Sequence, residues 1–379
     1  MASVYEKLNL VLFFTRGVSL RTWDQVGMFD REVALYRCLQ QRGVQVSFVS
    51  YGGKSELQYA ERMAGISILC NRWNLSPQRY EKLLPLLHAV PLAHAQVFKS
   101  NQINGAEIAL RAARFWRKKC IARGGYLYAV NTKNQFGEDS AEGQKAVNLE
   151  GSVYSQADHI VVSAPSMREY IQTNYAVPGE RITVVPNYVD TGLFQPAVAD
   201  EETKNRLCFI GRLEKEKNIV TLLEAVKGLD VELDLIGSGS LEQELRQKAV
   251  QEGIAAHFLG NLPHTALPQH IHRAALYVQP SLYEGHPKTI LEAMACAKAV
   301  IGGDSPGIRE LISHRRNGFL CATTPDGIRA AVVEVLTDSD LRQRMGEAAR
   351  QYVVENFSLD RVVEMELKLY RELMSNSEE

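Results

Sequence analysis

The sequence has few of the features that would place it in a specialised class. Its six cysteines (Cys38, Cys70, Cys120, Cys208, Cys296 and Cys321) are scattered with no CxxC pair, so neither a zinc site nor a disulfide framework is indicated. They read as reduced core residues of a cytosolic protein. No apolar run approaches the roughly 20 residues needed to cross a bilayer. The first stretch, "MASVYEKLNLVLFFTRG", has only the short apolar run Leu8 to Phe14, with no basic flank before it and no cleavage site after it. It therefore reads as a first strand. Low-complexity tracts and short-period repeats are absent. A net charge of -1 provides no global field to attract nucleic acid or an acidic partner.

What is present is globular. The 379 residues exceed the length at which single cores usually stop growing, and 45% apolar with 23% charged residues is ordinary for soluble domains. Short apolar runs alternate with amphipathic stretches of helix length, the pattern of βαβ units and parallel sheets. In the first half the expected strands are "LNLVLFF", "VQVSFVSYG", "AQVFKS", "CIARGGY" and "HIVVSA"; in the second they are "RLCFIGR", "VELDLIGSG", "AAHFLG", "AALYVQPS", "KAVIGG" and "NGFLC". Two doubly wound α/β domains in tandem follow. The polar stretch "ITVVPNYVDTGLFQPAVADEETKN" carries Pro186 and Pro196 and reads as the linker. The expected divisions are 1–185, 186–357 and a final packed helix in 358–379 that docks on the second domain or returns to the first.

In open α/β sheets ligands sit beyond the carboxyl ends of strands, so the strand exits come next. In "FIGRLEKEKN", Gly211 permits a tight turn, and Arg212 and Lys217 place two cations there, a suitable clamp for a diphosphate. Taken alone, the same run with Glu214, Lys215 and Glu216 reads more readily as solvated charge. "LIGSGSLEQEL" offers the turn Gly237-x-Gly239, but Glu242 stands where a dinucleotide fingerprint has its third glycine, so a dehydrogenase is not indicated. In "SLYEGHPKTILEAMACAKAV", Pro287 suits the first helical position. Gly285, His286 and the amides of Lys288 and Thr289 would then form a helix start aimed at an anion. Glu284 precedes this helix and Glu292 lies within it, so both carboxylates can hold sugar or ribose hydroxyls, unless they are an unrelated loop acid and surface acid. "IGGDSPGIREL" adds Gly302, Gly303 and Gly307 in a loop able to approach a ligand. The single DxD, Asp338-Ser339-Asp340, reads as a helix cap, and no metal site is expected.

Together these residues resemble glycosyltransferase family 4, the retaining enzymes of GT-B architecture. "VVPNYVDTGLF", "FIGRLEKEKN", "LIGSG", "QPSLYEGHPKTILEAMACAKAVIGGDSPGIRELI" and "NGFL" occur in the family's order, and Glu284 to Glu292 forms its E(x)7E signature. The resemblance implies two Rossmann-like domains facing a central cleft. It also implies a nucleoside diphosphate sugar as donor substrate, no separate cofactor, no metal, and a hydroxyl acceptor on a glycan or lipid-linked glycan. Residue by residue, it makes Arg212 and Lys217 the diphosphate clamp, Glu284 the acid on the transferred sugar and Glu292 the acid on the ribose. The turn amides hold phosphate and sugar. The first half departs from the family. Gly17 is followed by the long polar loop "VSLRTWDQ" instead of a Gly-Gly turn, and no histidine stands at a strand end as it commonly does. Lys99, Asn101, Gln102, Arg123 and Tyr126 are the candidates to line the cleft.

The implied reaction is transfer of a hexose-type sugar with retention, in glycan, polysaccharide or glycolipid assembly. Competing readings are a nucleotide-sugar epimerase of the same architecture and a non-catalytic sugar-nucleotide-binding subunit. "ALRAARFWRKKCIAR" sets Arg111, Arg114, Arg117, Lys118, Lys119 and Arg123 beside Phe115 and Trp116. A solvated helix face is the commoner meaning of such a run; peripheral contact with the inner face of a membrane is the other.

Overall fold

Leu8 to Phe14 contains β1 (Asn9–Phe13), and in the computed structural model Leu10 to Phe14 are at most 1% exposed. A strand covered on both faces has no polar side, which is why its apolar run is unbroken. The structure describes residues 8–197 and 203–375. The chain divides into two units, Met1–Pro186 with Val363–Glu379, and Asn187–Val362.

Unit 1 holds a seven-stranded parallel sheet of β1, β2 (Gln45–Gly53), β3 (Ser67–Asn71), β4 (Val97–Ser100), β5 (Lys119–Gly124), β6 (His159–Val162) and β7 (Ile182–Val184). Their order is β3-β2-β1-β4-β5-β6-β7. β1 is central, with Phe13 opposite Val49 on one side and Ser100 on the other. Unit 2 holds a six-stranded parallel sheet of β8 (Thr203–Ile210), β9 (Glu232–Ile236), β10 (Ala256–Gly260), β11 (Ala274–Gln279), β12 (Val300–Gly303) and β13 (Phe319–Cys321). Their order is β10-β9-β8-β11-β12-β13. Along β8, Leu207 and Phe209 join one core cluster while Cys208 and Ile210 join another, so the sheet is covered on both faces.

Each order reverses once, between β1 and β4 and between β8 and β11, and crevices open at the carboxyl ends of strands at such switch points. Two strands fall outside those read from the sequence. β3 is a run of only five residues preceded by the turn glycine Gly65, and β7 lies inside the stretch read as linker. Residues 198–202 of that stretch lie outside the described residues. Its middle is folded: Phe194 is fully buried, and the Val189 amide donates to the Phe357 carbonyl at 2.8 Å within unit 2. Among the described residues no helix is long and apolar enough to cross a membrane.

Candidate active site

The unit 2 switch point is built by hydrogen-bonding the exit of β8 to the exit of β11. Asn218 adopts a left-handed conformation with φ 59°, and its side-chain amide donates to the carbonyls of Pro280 at 3.2 Å and Thr323 at 3.0 Å. The Leu282 amide donates to the Glu216 carbonyl at 2.9 Å. This backbone seam delivers Lys217 to Glu284, with Nζ 2.6 Å from Oε1 and side chains only 13% and 11% exposed. An ion pair so enclosed must recover its lost hydration through further hydrogen bonds. Here the Gln279 amide donates to Glu284 Oε1 at 2.9 Å and to Ser281 Oγ at 3.0 Å, while the Tyr277 hydroxyl donates to Gln279 Oε1 at 2.7 Å. Burial pushes the Tyr277 hydroxyl well above its ordinary pKa, so it remains a donor.

The two cations expected to act together are held apart. The Arg212 side chain is 66% exposed and its guanidinium lies 2.5 Å from Glu216, four residues on. Lys217 turns inward to Glu284. The next residue pair along this exit is also internally bound: Glu214 accepts from the amide and hydroxyl of Ser240 at 2.8 and 2.6 Å, which lowers its pKa.

The helix after β11 runs Lys288–Ala295, so Pro287 is the residue before its first turn and not, as the sequence suggested, the first within it. Among the described residues no side chain caps this helix start. Thr289 Oγ1 lies 3.5 Å from Gln279 Oε1, and the Lys288 ammonium lies 5.4 Å above the Tyr188 ring. His286 is fixed by both its parts. Its carbonyl accepts from Asn187 Nδ2 at 2.7 Å, and its buried ring packs 5.3 Å from the Phe357 ring. Glu292 is 1% exposed and meets His264 Nε2 at 2.9 Å, with the Phe194 ring 5.0 Å from the imidazole. The two signature glutamates thus have different partners.

The glycines of the strand exits serve loop-on-loop packing. Gly237 has φ +129°, and a Cβ there would stand 2.0 Å from the Gly211 carbonyl oxygen. Gly307 has φ +78°, and its Cβ would stand 2.3 Å from the Glu284 carbonyl oxygen. Both conformations are closed to other residues on steric grounds. Gly307 therefore backs the Glu284 turn, while Gly302 faces Ile308 and Ile312 and Gly303 faces Thr323, Pro280 and Ser281. Glu242, at the missing third glycine, starts its helix and pairs with Arg246 at 2.8 Å. Asp338 caps the helix Ser339–Phe357 through the Leu341 amide at 2.8 Å.

In unit 1 the exits of β4 and β5 bring Asn101, Gln102 and Arg123 together. Arg123 Nη1 donates to the Asn101 carbonyl at 3.1 Å, and the Gly125 amide donates to Gln102 Oε1 at 2.9 Å. The Tyr126 ring lies 6.5 Å from that of Tyr128. Gly17 has φ +78° in the loop after β1. Lys99 corrects the sequence reading: it is fully buried, its ammonium pairs with Glu366, and the Tyr370 hydroxyl lies at 3.3 Å. It precedes the exit of its strand by one residue and points into the core, where a partner from the last helix neutralises it. Sequence reasoning missed Arg16, whose guanidinium grips Glu81 with two bonds of 2.9 and 2.7 Å. Its position directly before Gly17, at the exit of β1, was the available signal. Gln279, Asn218 and His264 were also missed, and nothing but the fold selects them.

The model described as Glycosyl transferases group 1 matches residues 193–352, and that described as Glycosyltransferase Family 4 matches residues 33–193. The chain is similar to an alpha-maltose-1-phosphate synthase of Mycolicibacterium smegmatis, at 28% identity over 59% of this chain and 66% of that protein. It is similar to a glycogen synthase of Mycobacterium tuberculosis at 29% identity, over 59% of this chain and 56% of that protein. It thus spans less than two thirds of the length of these curated relatives. Among solved structures, a sucrose-phosphate synthase from Thermosynechococcus elongatus shares the fold with a TM-score of 0.77 and 18% identity, covering 98% of this chain and 100% of that one. HepE of Anabaena, in complex with UDP and glucose, shares it with a TM-score of 0.76 and 16% identity over 96% and 99%.

Proposed function

The chain belongs to glycosyltransferase family 4, of GT-B architecture, and on that premise we propose that it moves a hexose-type sugar from a nucleoside diphosphate sugar to a hydroxyl of a glycan or lipid-linked glycan. In this reading transfer proceeds with retention and without a metal ion. The enclosed Lys217–Glu284 pair at the β8/β11 switch point carries the proposal, because it sets a cation and a hydroxyl acceptor side by side at a helix start that no side chain among the described residues caps.

The difficult step separates a diphosphate from an anomeric carbon that becomes oxocarbenium-like. Lys217 and the amides after Gly285 would meet the negative charge growing on the diphosphate, with Arg212 free to swing from Glu216 toward the outer phosphate. Prearranged charge of this kind is often the largest catalytic contribution. Glu284 would accept hydroxyls of the transferred sugar. Glu292, steadied by His264, would accept from the ribose. In the same-face route the bond from the anomeric carbon to the diphosphate oxygen breaks as the bond to the acceptor oxygen forms, and the acceptor proton passes to the departing phosphate. Arg16, Asn101, Gln102, Arg123 and Tyr126, at unit 1 strand exits, are assigned to the acceptor side.

The test is incubation of the full chain with UDP, GDP and ADP sugars, following donor hydrolysis, transfer to glycan acceptors and thermal stability. UDP-glucose is the first donor to try, since HepE has been captured with it. The expected result is one selective donor that is hydrolysed slowly alone. Saturation at 100 times its Kd should stabilise the fold by about 2.7 kcal/mol. Binding without turnover on every donor and acceptor would instead identify a non-catalytic subunit.

A further inference from the structure

The helices Pro77–Leu87, Ala89–His94 and Ala106–Trp116 pack side by side on unit 1. The Trp116 indole donates to the Pro85 carbonyl at 3.0 Å, and the Arg111 guanidinium donates to the Glu81 carbonyl. Their inner faces are ordinary core: Tyr80, Leu84, Leu92, Ile108, Ala109 and Ala112 are buried in one cluster. Their outer faces are not ordinary. Leu86 is 59% exposed, Val90 71% and Phe115 54%, three large apolar side chains on three neighbouring helices. Single exposed hydrophobes need no explanation, but three of them on helices that pack together within a strongly basic stretch of chain do.

The stretch is basic. Residues 72–119 contain nine Lys or Arg against two Glu, a net +7 in a chain whose total is -1. One of the nine, Lys99, is buried with Glu366, and both glutamates are turned to Arg16. Lys82, Arg114 and Arg117 are exposed on these helices or at their ends and have no ion pair among the described residues. The run "ALRAARFWRKKCIAR" is not one long amphipathic helix: it stops at Arg117, in a left-handed conformation, and resumes as β5. The basic and apolar character comes from three short helices meeting, which no one segment of sequence displays.

We propose that this face binds the surface of an anionic bilayer, with Leu86, Val90 and Phe115 entering the headgroup boundary and Lys82, Arg114 and Arg117 on lipid phosphates. A polyanion such as RNA would satisfy the cations but leave Leu86 and Val90 unused, since aliphatic side chains offer no stacking platform for bases. Lipid satisfies both parts of the face. The inference stands apart from sugar transfer, because none of these residues belongs to the strand exits.

The experiment is co-sedimentation of the full chain with phosphatidylcholine vesicles, with and without phosphatidylserine. Binding is expected only with phosphatidylserine and should fall as salt rises. Reversal in Arg114→Glu/Arg117→Glu should weaken it by about 25-fold or more, taking about five-fold per cation lost. Phe115→Ser should weaken it several-fold at unchanged salt dependence. Lys82→Glu/Leu86→Ser, on a different helix, tests the same face independently should either of the first variants fold poorly. Arg344→Glu, an exposed reversal on unit 2, should sediment as wild type. Equal binding to uncharged vesicles, no binding to either, an equal loss in Arg344→Glu, or insensitivity to both Phe115→Ser and Lys82→Glu/Leu86→Ser would each overturn the proposal; in the last case a polyanion becomes the better occupant.

Discussion

Lys217 and Glu284 are nearly enclosed, so each is the other's principal compensation for lost water. Truncating Lys217 leaves Glu284 the Gln279 amide at 2.9 Å, and each side chain of the pair keeps some contact with water, so either truncation should cost activity more than fold. Lys217→Ala and Glu284→Ala are each expected to lower kcat by about 10²–10³-fold, the usual loss for one prearranged electrostatic group, with an unchanged circular dichroism spectrum. Retained turnover in a folded variant would remove that residue from the mechanism. His88 makes a prediction about pH. Burial, with a smaller contribution from Arg72, lowers its pKa to about 4, and its Nε2 lies 3.0 Å from the Tyr80 hydroxyl. The unfolded chain, with an ordinary histidine value of about 6.5, takes up this proton first as pH falls. Stability is therefore full above that value and declines toward pH 4, by about 3 kcal/mol from this group. Urea midpoints at pH 7 and pH 4 should show a smaller difference in His88→Gln; an identical difference would sink the assignment. Some slope will remain, because burial shifts His159 and His270 in the same direction.

At the scale of elements, the strand exits press against one another as a stack of loops. Gly237 lies on Gly211, and Gly307 lies on Glu284. Gly237→Ala should cost at least about 2 kcal/mol, from a disfavoured φ and a backbone clash that no side-chain motion relieves. Its readout is chemical denaturation, and a variant as stable as wild type would show that the two exits do not press together. Every strand read in the second half of the sequence is present, because buried parallel strands carry unbroken apolar runs between turn residues. β3 and β7 escaped notice for opposite reasons. β3 is a short run whose one turn signal, Gly65, is easily read as part of a loop, whereas β7 is followed within two residues by Pro186 and sits in a stretch whose composition suggests a linker. The candidate site was legible where residue type and spacing coincide, as at Glu284, Lys217 and the helix start after Pro287. It was not legible at Asn218 or Gln279, whose roles depend on neighbours 60 or more residues away for the one and on a strand end for the other.

For the whole molecule, the last helix, Leu359–Ser375, is shared between the units: residues to Val362 belong to unit 2 and those from Val363 to unit 1. Its hold on unit 1 is a buried ion pair, Lys99 with Glu366, supplemented at the surface by Arg42 with Glu364. Burial lowers the Lys99 pKa and Glu366 opposes that shift, so the pair depends on both members. Breaking one side should be worse than removing both. Lys99→Met or Glu366→Leu alone is expected to destabilise unit 1 by about 3–5 kcal/mol, while the double variant should recover much of that loss. Additive losses in a double-mutant cycle would mean that the two residues act separately.

The sequence by itself determined the α/β class, most strands and the family, because periodicity, turn residues and the E(x)7E spacing are local properties of the chain. Only the tertiary structure decided which charges are paired. Lys99 went to the core, Arg212 to Glu216 and Lys217 to Glu284. The reason is physical: the fate of a charged side chain is settled by desolvation and by the partner brought within hydrogen-bond reach. For Lys99 that partner is 267 residues away.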